Sequence, residues 1–126
     1  MHVEKLKKIL DKPSIRDLVE DLAKIIEEII EKRNPLSVII AGSLAEGKFV
    51  RGLSDIDILV IVDKPVDDKE RFSLRAVKDV DVEITVYSYN ELIESLKRGN
   101  QFIGRAISRG IEVYGNLLNK IRDKKI

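Results

Sequence analysis

The stretch SDIDILVIV at residues 54–62 constrains the fold more than any other part of this chain. Apart from its two aspartates, Asp55 and Asp57, it is apolar and largely β-branched, which is typical of a buried strand. Residues two apart on a strand point to the same side, so the two carboxylates lie together and Ile56 faces the other way. The sequence therefore predicts a core strand that begins with a pair of like charges.

Two further runs are predicted to form strands, and helical patterns lie between the predicted strands. LSVIIAG at 36–42 is a β-branched run closed by glycine, and VDVEITVYS at 80–88 alternates between apolar and polar residues. Residues 12–34 repeat apolar side chains at spacings of three and four, which predicts an amphipathic helix with Pro13 near its first turn. That helix is expected to stop near Asn34, because a proline follows.

The remaining segments are shorter. VEKLKKIL at 3–10 predicts a short amphipathic helix, SLAEG at 43–47 one or two helical turns, and IEVYG at 111–115 a final short strand. Helices are expected at about 89–97 and 100–108 and at the C-terminus. Residues 69–79 are ambiguous: Phe72, Leu74 and Ala76 alternate as in a strand, but the segment is interpreted as a helix.

Strands that alternate with helices indicate a mixed α/β or α+β fold with a central β-sheet flanked by helices. At 126 residues the chain is predicted to form one domain, with N-terminal helices at 1–34, a motif-bearing core at 35–114 and a C-terminal helix at 115–126.

Composition excludes several classes of function. The 23 Lys and Arg residues nearly cancel the 22 Asp and Glu residues, so binding to nucleic acid through bulk positive charge is not expected. With no cysteine, the chain has neither disulfides nor thiolate metal ligands. No signal peptide is recognised, and no apolar run approaches the ~20 residues of a membrane span, so a cytoplasmic location is expected.

The paired aspartates fit a site for a hard cation. Two carboxylates a few Å apart repel one another, and Mg²⁺, which takes oxygen ligands, relieves that repulsion. The strand at 80–88 places Asp81 and Glu83 on one face. If it lies beside 54–62, a third carboxylate reaches the same place, and three acids can hold two metal ions for a phosphoryl transfer.

The residues before the aspartates can bind phosphate. Gly42 lets an anion approach the backbone, and the Ser43 hydroxyl and N–H can donate to phosphate oxygens. Lys48 and Arg51 lie in the following loop and can meet a triphosphate or an acidic partner. Each residue also has an ordinary structural role to set against this: Gly42 can end a strand, Ser43 can cap a helix, and Ser54 and Asp55 can serve a turn.

GSLAEGKFVRGLSDIDILV, followed by an acid-bearing strand, resembles the signature of the polymerase-β-like nucleotidyltransferase superfamily, and most closely its minimal nucleotidyltransferases. The resemblance implies that Gly42, Ser43 and Ser54 belong to the nucleotide site, with Lys48 and Arg51 beside them. It also implies that Asp55, Asp57 and a third acid bind both metal ions and carry the catalysis. The third acid aligns best with Glu83, with Asp81 as the alternative.

The chain departs from the family pattern in one place. Bacterial relatives commonly carry arginines in the loop after Gly-Ser, where this chain has Leu44 and Glu46. Nucleotide affinity or base preference is therefore expected to differ from theirs.

The resemblance implies a Mg²⁺-dependent transfer of a nucleoside monophosphate, expected to be AMP from ATP, to a hydroxyl of a protein or nucleic-acid acceptor. By family analogy the chain is an antitoxin partner of a HEPN-type toxin, and an open cleft hints at a homodimer. The alternative is a binding module that keeps the fold, and even a nucleotide, but acts by covering a partner. Separate Glu83→Gln and Asp81→Asn variants discriminate between the two.

Overall fold

The computed structural model of the chain describes residues 2–123. Within that range it contains six α-helices and five β-strands. Their order along the chain is α1 (His2–Ile9), α2 (Val19–Arg33), β1 (Ser37–Ala41), α3 (Gly42–Ala45), β2 (Ile56–Val62), β3 (Phe72–Val77), β4 (Val80–Ser88), α4 (Tyr89–Lys97), α5 (Gln101–Arg109), β5 (Ile111–Gly115) and α6 (Leu118–Asp123). The mixed α+β class expected from the sequence is confirmed.

The five strands form one mixed sheet in the order β3-β4-β2-β1-β5. β2 and β4 run parallel at its centre, and every other neighbouring pair is antiparallel. The backbone pairing of β1 with β2, of β2 with β4 and of β3 with β4 gives each residue of these strands a defined partner on the neighbouring strand. This places β4 directly beside the strand that carries the two aspartates.

Helices cover both faces of the sheet. The back face, which carries Ile40, Ile58 and Val60, packs against α1 and α2 in the larger apolar core. The front face, which carries Ile39, Leu59 and Ile61, packs against α4, α5 and α6 in a second core. Alternate residues of each central strand therefore enter different cores, as the period of two along a strand requires.

The long N-terminal helix begins later than the sequence predicted. Arg16–Leu18 forms a 3₁₀ turn and α2 starts only at Val19, so Pro13 lies before the helix. The predicted end is confirmed, because Asn34 takes a left-handed conformation (φ 46°) and its N–H donates to the Ile30 carbonyl.

The helix predicted over 69–79 is wrong. After a 3₁₀ turn at Asp68–Glu70, the segment forms β3, which pairs with β4 through a two-residue turn at Lys78 and Asp79. Only Val77 of this edge strand is buried. Its backbone pairing with β4, and not an apolar core, determines its conformation.

The C-terminal elements agree with expectation as far as they are described. The helices predicted at about 89–97 and 100–108 are α4 and α5, and the short strand at 111–115 is β5. The C-terminal helix is α6, and the predictions for residues 1 and 124–126 lie outside the described residues. No helix between residues 2 and 123 has both the length and the apolar character needed to cross a membrane.

Candidate active site

The two aspartates stand at the start of β2 on the front face of the sheet. Asp55 immediately precedes the strand and is exposed, and Asp57 is its second residue and is half-buried. Ile56 between them is fully buried in the back core. Packing of Ile56 fixes the orientation of this part of the strand, and so turns both carboxylates toward the front face.

Glu83 completes the acidic group from the neighbouring strand. The parallel pairing of β2 and β4 places Glu83 directly opposite Asp57. Its carboxyl group also interacts with that of Asp55. The sheet register thus brings together three carboxyl groups that are far apart in the sequence.

Negative charge is left uncompensated in this group. Hydrogen bonding with Asp55 raises the pKa of Glu83, and partial burial and the charges of Asp57, Asp55 and Asp81 raise it further. Burial, and then the charge of Asp55, raise the pKa of Asp57. Neither shift has a lysine or an arginine among its causes, so within the described residues no basic side chain offsets the charge of these two carboxyl groups.

Asp81 is the weaker choice for the third acid. It lies two residues before Glu83 on the same face and is exposed. The pairing of β4 with β2 begins only at Val82, so Asp81 has no partner on β2. Register, which the sequence alone could not supply, favours Glu83.

The Gly-Ser turn contacts the acids from the other side. β1 ends at Ala41, which pairs with Asp57, and Gly42 follows with φ +65°. A β-carbon at position 42 would overlap the Asp57 carboxylate oxygen Oδ2. Glycine is therefore required here both by its backbone conformation and by the close approach of Asp57.

Ser43 lies at the beginning of α3, and its carbonyl accepts a hydrogen bond of 2.8 Å from the Lys48 N–H. Within residues 2–123 the Ser43 hydroxyl has no hydrogen-bond partner. It is half-buried next to Gly42 and is free to donate to a ligand.

The Arg51 guanidinium binds acidic side chains from two other segments of the chain. Its guanidinium donates to Asp17 at 2.6 Å, to Asp79 at 2.6 Å and to the Ser14 carbonyl at 2.8 Å. The hydrogen bonds with Asp79 and Asp17 raise the pKa of Arg51, and the two carboxylates neutralise its charge. Arg51 therefore ties the loop before β2 to the 3₁₀ turn and the β3–β4 turn. Its partners here are acidic side chains, and its contact with a triphosphate stays a prediction.

The other two predicted loop residues differ from one another. The Ser54 hydroxyl accepts a hydrogen bond of 3.0 Å from the Val50 N–H, so it serves the turn before Asp55. Lys48 is exposed and borders an open depression of about 550 Å³, together with Ala45, Glu46, Ser108 and Arg109. Of the two predicted phosphate-binding cations, only Lys48 makes no side-chain hydrogen bond or salt bridge within the described residues, and its charge helps to lower the pKa of Glu46.

Sequence reasoning missed the partner of Glu46. Arg105 of α5 binds the Glu46 carboxylate with two hydrogen bonds of 2.9 and 2.7 Å, and it lowers the pKa of Glu46. Leu44 is buried in the back core. The two departures from the family loop thus have structural roles, and no signal in the sequence paired residues 46 and 105.

The acidic group has the donor chemistry for a hard divalent cation, because it offers only carboxylate oxygens. As they stand, the side chains of residues 2–123 form no group of three or more Asp, Glu, His or Cys residues that could hold a metal ion. The donors therefore fit Mg²⁺ in chemistry and in sheet position, but they do not form a closed cage.

Comparison with known proteins agrees with this geometry. A family model described as a nucleotidyltransferase domain matches residues 22–113, which include the Gly-Ser turn and all three acids. The fold of the chain also resembles the crystal structure of a nucleotidyltransferase-like protein from Exiguobacterium sibiricum 255-15, with a TM-score of 0.59 and 14% identity. That likeness covers 81% of this chain but 36% of the other, and it concerns the fold alone. No curated protein matches the chain. From the extent of the family match, we conclude that the chain belongs to the nucleotidyltransferase domain family.

Proposed function

We propose that the chain transfers a nucleoside monophosphate from a nucleoside triphosphate, expected to be ATP, to an acceptor hydroxyl in a Mg²⁺-dependent reaction. The observation that supports this most directly is the register of β2 and β4, which sets Glu83 opposite Asp57, beside a glycine whose missing side chain leaves room for the Asp57 carboxylate. Family membership supports nucleotidyl transfer in general, and the acid geometry supports the choice of residues.

Asp55, Asp57 and Glu83 are the residues that would hold two Mg²⁺ ions. The bound ions would neutralise the charge of the triphosphate and of the leaving pyrophosphate. Gly42 has no side chain to stand between the backbone and the phosphates, and the Ser43 hydroxyl and N–H would donate to their oxygens. Lys48, which is exposed and makes no salt bridge in the described residues, adds a positive charge at the edge of this turn.

In the proposed step the acceptor oxygen forms a bond to the α-phosphorus, and the bond from that phosphorus to the bridging oxygen breaks. Pyrophosphate leaves with the bonding electron pair. Glu83 accepts the proton of the attacking hydroxyl, since it lies on the strand beyond Asp57 as seen from the Gly-Ser turn. Positioning and charge neutralisation provide most of the rate.

The partner proposed from family analogy is a HEPN-type protein, for which the chain would act as an antitoxin by modifying or covering it. A cytoplasmic location and a homodimer are further parts of this proposal. One observation favours the alternative of a binding module that does not catalyse transfer: the acids of the described residues form no closed metal cage. That module would bind the partner with or without a nucleotide.

Pyrophosphate release from ATP, GTP, CTP and UTP, with and without Mg²⁺, tests the proposal. The wild type is compared with an Asp55→Asn/Asp57→Asn variant and with Asp63→Asn, a matched control at the other end of β2. Release that needs Mg²⁺, is lost in the double variant and persists in the control supports transfer. A wild type that is folded and binds a partner but releases no pyrophosphate supports the binding module.

A further inference from the structure

Two large apolar side chains are exposed on the edge of the sheet next to the acids. Phe72 is 55% and Leu74 58% exposed, and both belong to β3. Their register with β4 sets Leu74 directly opposite Glu83 and Phe72 opposite Thr85. Paired residues of neighbouring strands project from the same face, so Phe72 and Leu74 lie on the front face with the carboxylates. We call these two side chains the apolar edge pair.

The strand order arranges the site in a line. Gly42 follows β1, Asp57 lies on β2, Glu83 on β4 and Leu74 on β3, and these strands are neighbours in that order. With strands about 4.8 Å apart, the line from Asp57 to Leu74 is roughly 10 Å long. One end of it is the proposed phosphate turn, and the other is the apolar edge pair.

In a phosphoryl transfer the attacking and leaving oxygens lie on opposite sides of the phosphorus. This inference rests on the proposed function, which puts pyrophosphate at Gly42 and Ser43 and the α-phosphate at Asp57. The attacking hydroxyl then comes from the side of β4 and β3. We propose that the apolar edge pair is the acceptor-binding surface. It packs against apolar side chains that flank the acceptor hydroxyl and so brings that hydroxyl to Glu83.

The charges around the pair identify the class of acceptor. Glu83 and Asp81 are the acidic neighbours of the pair on the front face, and Tyr87 lies on that face beyond Thr85 with the Arg71 guanidinium 5.4 Å from its ring centroid. The three cations of residues 71–78 are paired with carboxylates: Arg71 binds Glu91, Arg75 binds Glu28 and Lys78 lies 3.6 Å from Asp17.

A nucleic-acid acceptor needs unpaired cations along its backbone, and residues 71–78 of this edge offer none. Phe72 and Leu74 instead offer apolar area that remains exposed to water. The acceptor is therefore a protein segment with apolar residues beside its hydroxyl-bearing residue. Burial of those residues against the edge pair provides the affinity.

The test uses the full chain with α-labelled nucleoside triphosphates and Mg²⁺. The probes are short peptides with a single hydroxyl residue between two leucines, the same peptides with glycine in place of leucine, and an RNA with a free 3′-hydroxyl. The variant is Phe72→Thr/Leu74→Thr, because threonine suits an exposed strand. Leu36→Thr removes an exposed leucine before β1, at the end away from Gly42, and is the matched control.

We expect the wild type to label the leucine-flanked peptide, and the double variant to lose at least about tenfold in kcat/KM for that peptide. Nucleotide KM and slow nucleotide hydrolysis by water should change by less than about twofold in both variants. Retained hydrolysis shows that the nucleotide site is intact, so a failure of this inference is distinguished from a failure of the proposed function.

Five outcomes overturn the inference, and the first four concern labelling or nucleotide kinetics. They are equal labelling by the double variant, labelling of RNA in preference to every peptide, a raised nucleotide KM that places the nucleoside on the edge pair, and labelling of no probe by a wild type that hydrolyses nucleotide. A change in oligomeric state on gel filtration, with labelling unchanged, assigns the pair to a second copy of the chain and also overturns it.

Discussion

Gly42 stands so close to Asp57 that a β-carbon at position 42 would overlap the Asp57 carboxylate oxygen Oδ2. The two residues are 15 positions apart, and the antiparallel pairing of β1 and β2 brings them together. This contact joins the proposed phosphate turn to the proposed metal ligands. A change at either residue is therefore expected to affect both parts of the site.

Gly42→Ala is expected to impair function more than stability. The left-handed backbone (φ +65°) costs alanine about 1 kcal/mol, and the new methyl group displaces the end of the Asp57 side chain. We expect a small loss in urea-unfolding stability together with loss of pyrophosphate release. Gly104→Ala in α5 is the control, because open space surrounds that position and alanine should stabilise the helix by about 0.5–1 kcal/mol. A Gly42→Ala protein with full activity contradicts this contact.

Glu83→Gln and Asp81→Asn should separate the two acids on β4. Glu83 pairs with Asp57 and interacts with Asp55, so we expect Glu83→Gln to lower transfer at least about 100-fold. Glu83→Gln also removes the repulsion between the Glu83 and Asp57 charges, so the variant should raise the stability of the metal-free protein by on the order of 0.5 kcal/mol. Asp81→Asn should change kcat by less than about threefold. Wild-type rates from Glu83→Gln, measured by pyrophosphate release, would rule out its role as the base.

The sequence was sufficient to predict the acidic strand but not to choose its partner. SDIDILVIV is a local pattern, and the period of two places both aspartates on one face wherever the strand lies. Asp81 and Glu83 share a face of β4 for the same reason, so periodicity treats them alike. Only the long-range register of β4 against β2 distinguishes them, and a single sequence does not contain it.

β3 was misjudged for a related reason. Five of its six residues are exposed, so no buried face supports the alternation of Phe72, Leu74 and Ala76. Its turn uses Lys78 at φ 55°, where glycine or asparagine would have indicated a hairpin. The acidic partners of Arg51 could not be identified from the sequence, because its position shows that a cation is near the site but not that Asp17 and Asp79 bind it.

The Arg71–Glu91 ion pair should make stability depend on pH in a defined direction. Hydrogen bonds from Arg71 and from the Ser88 N–H lower the pKa of Glu91 to about 2. A lowered pKa means that the pair stabilises the fold above about pH 4.5, the value of the unfolded state, and that this contribution is lost as the pH falls through about 2. Because Glu91 is partly exposed, the contribution is at most about 1 kcal/mol.

Urea unfolding of wild type and Glu91→Gln at pH 7, 4 and 2.5 measures this effect. The variant should be less stable at pH 7, and the difference should shrink at the two lower values. Glu94→Gln on the same helix is the control, since its contact with Arg98 is exposed and 3.8 Å long. A difference that stays constant with pH, or grows as the pH falls, disproves the assignment.

Arg51→Met should act on the fold and not on the nucleotide. Removing the guanidinium frees Asp17 and Asp79, so the urea midpoint at pH 7 should fall, and the fall should be smaller in high salt. The nucleotide Kd should change by less than about twofold. Lys48→Met is expected to show the reverse, with weaker nucleotide binding and an unchanged midpoint. Weaker binding by Arg51→Met at an unchanged midpoint restores Arg51 as a phosphate ligand.

The most direct test of the account is a thermal-shift measurement with each of ATP, GTP, CTP and UTP, with and without Mg²⁺, on wild type and Asp55→Asn/Asp57→Asn. A ligand present at about 100 times its Kd adds about 2.7 kcal/mol of stability, which gives a clear shift in Tm. We predict a shift that requires Mg²⁺, favours ATP and disappears in the double variant. If a folded wild type shows no shift with any nucleotide, or if the double variant shifts as the wild type does, the three carboxylates are not a metal-nucleotide site.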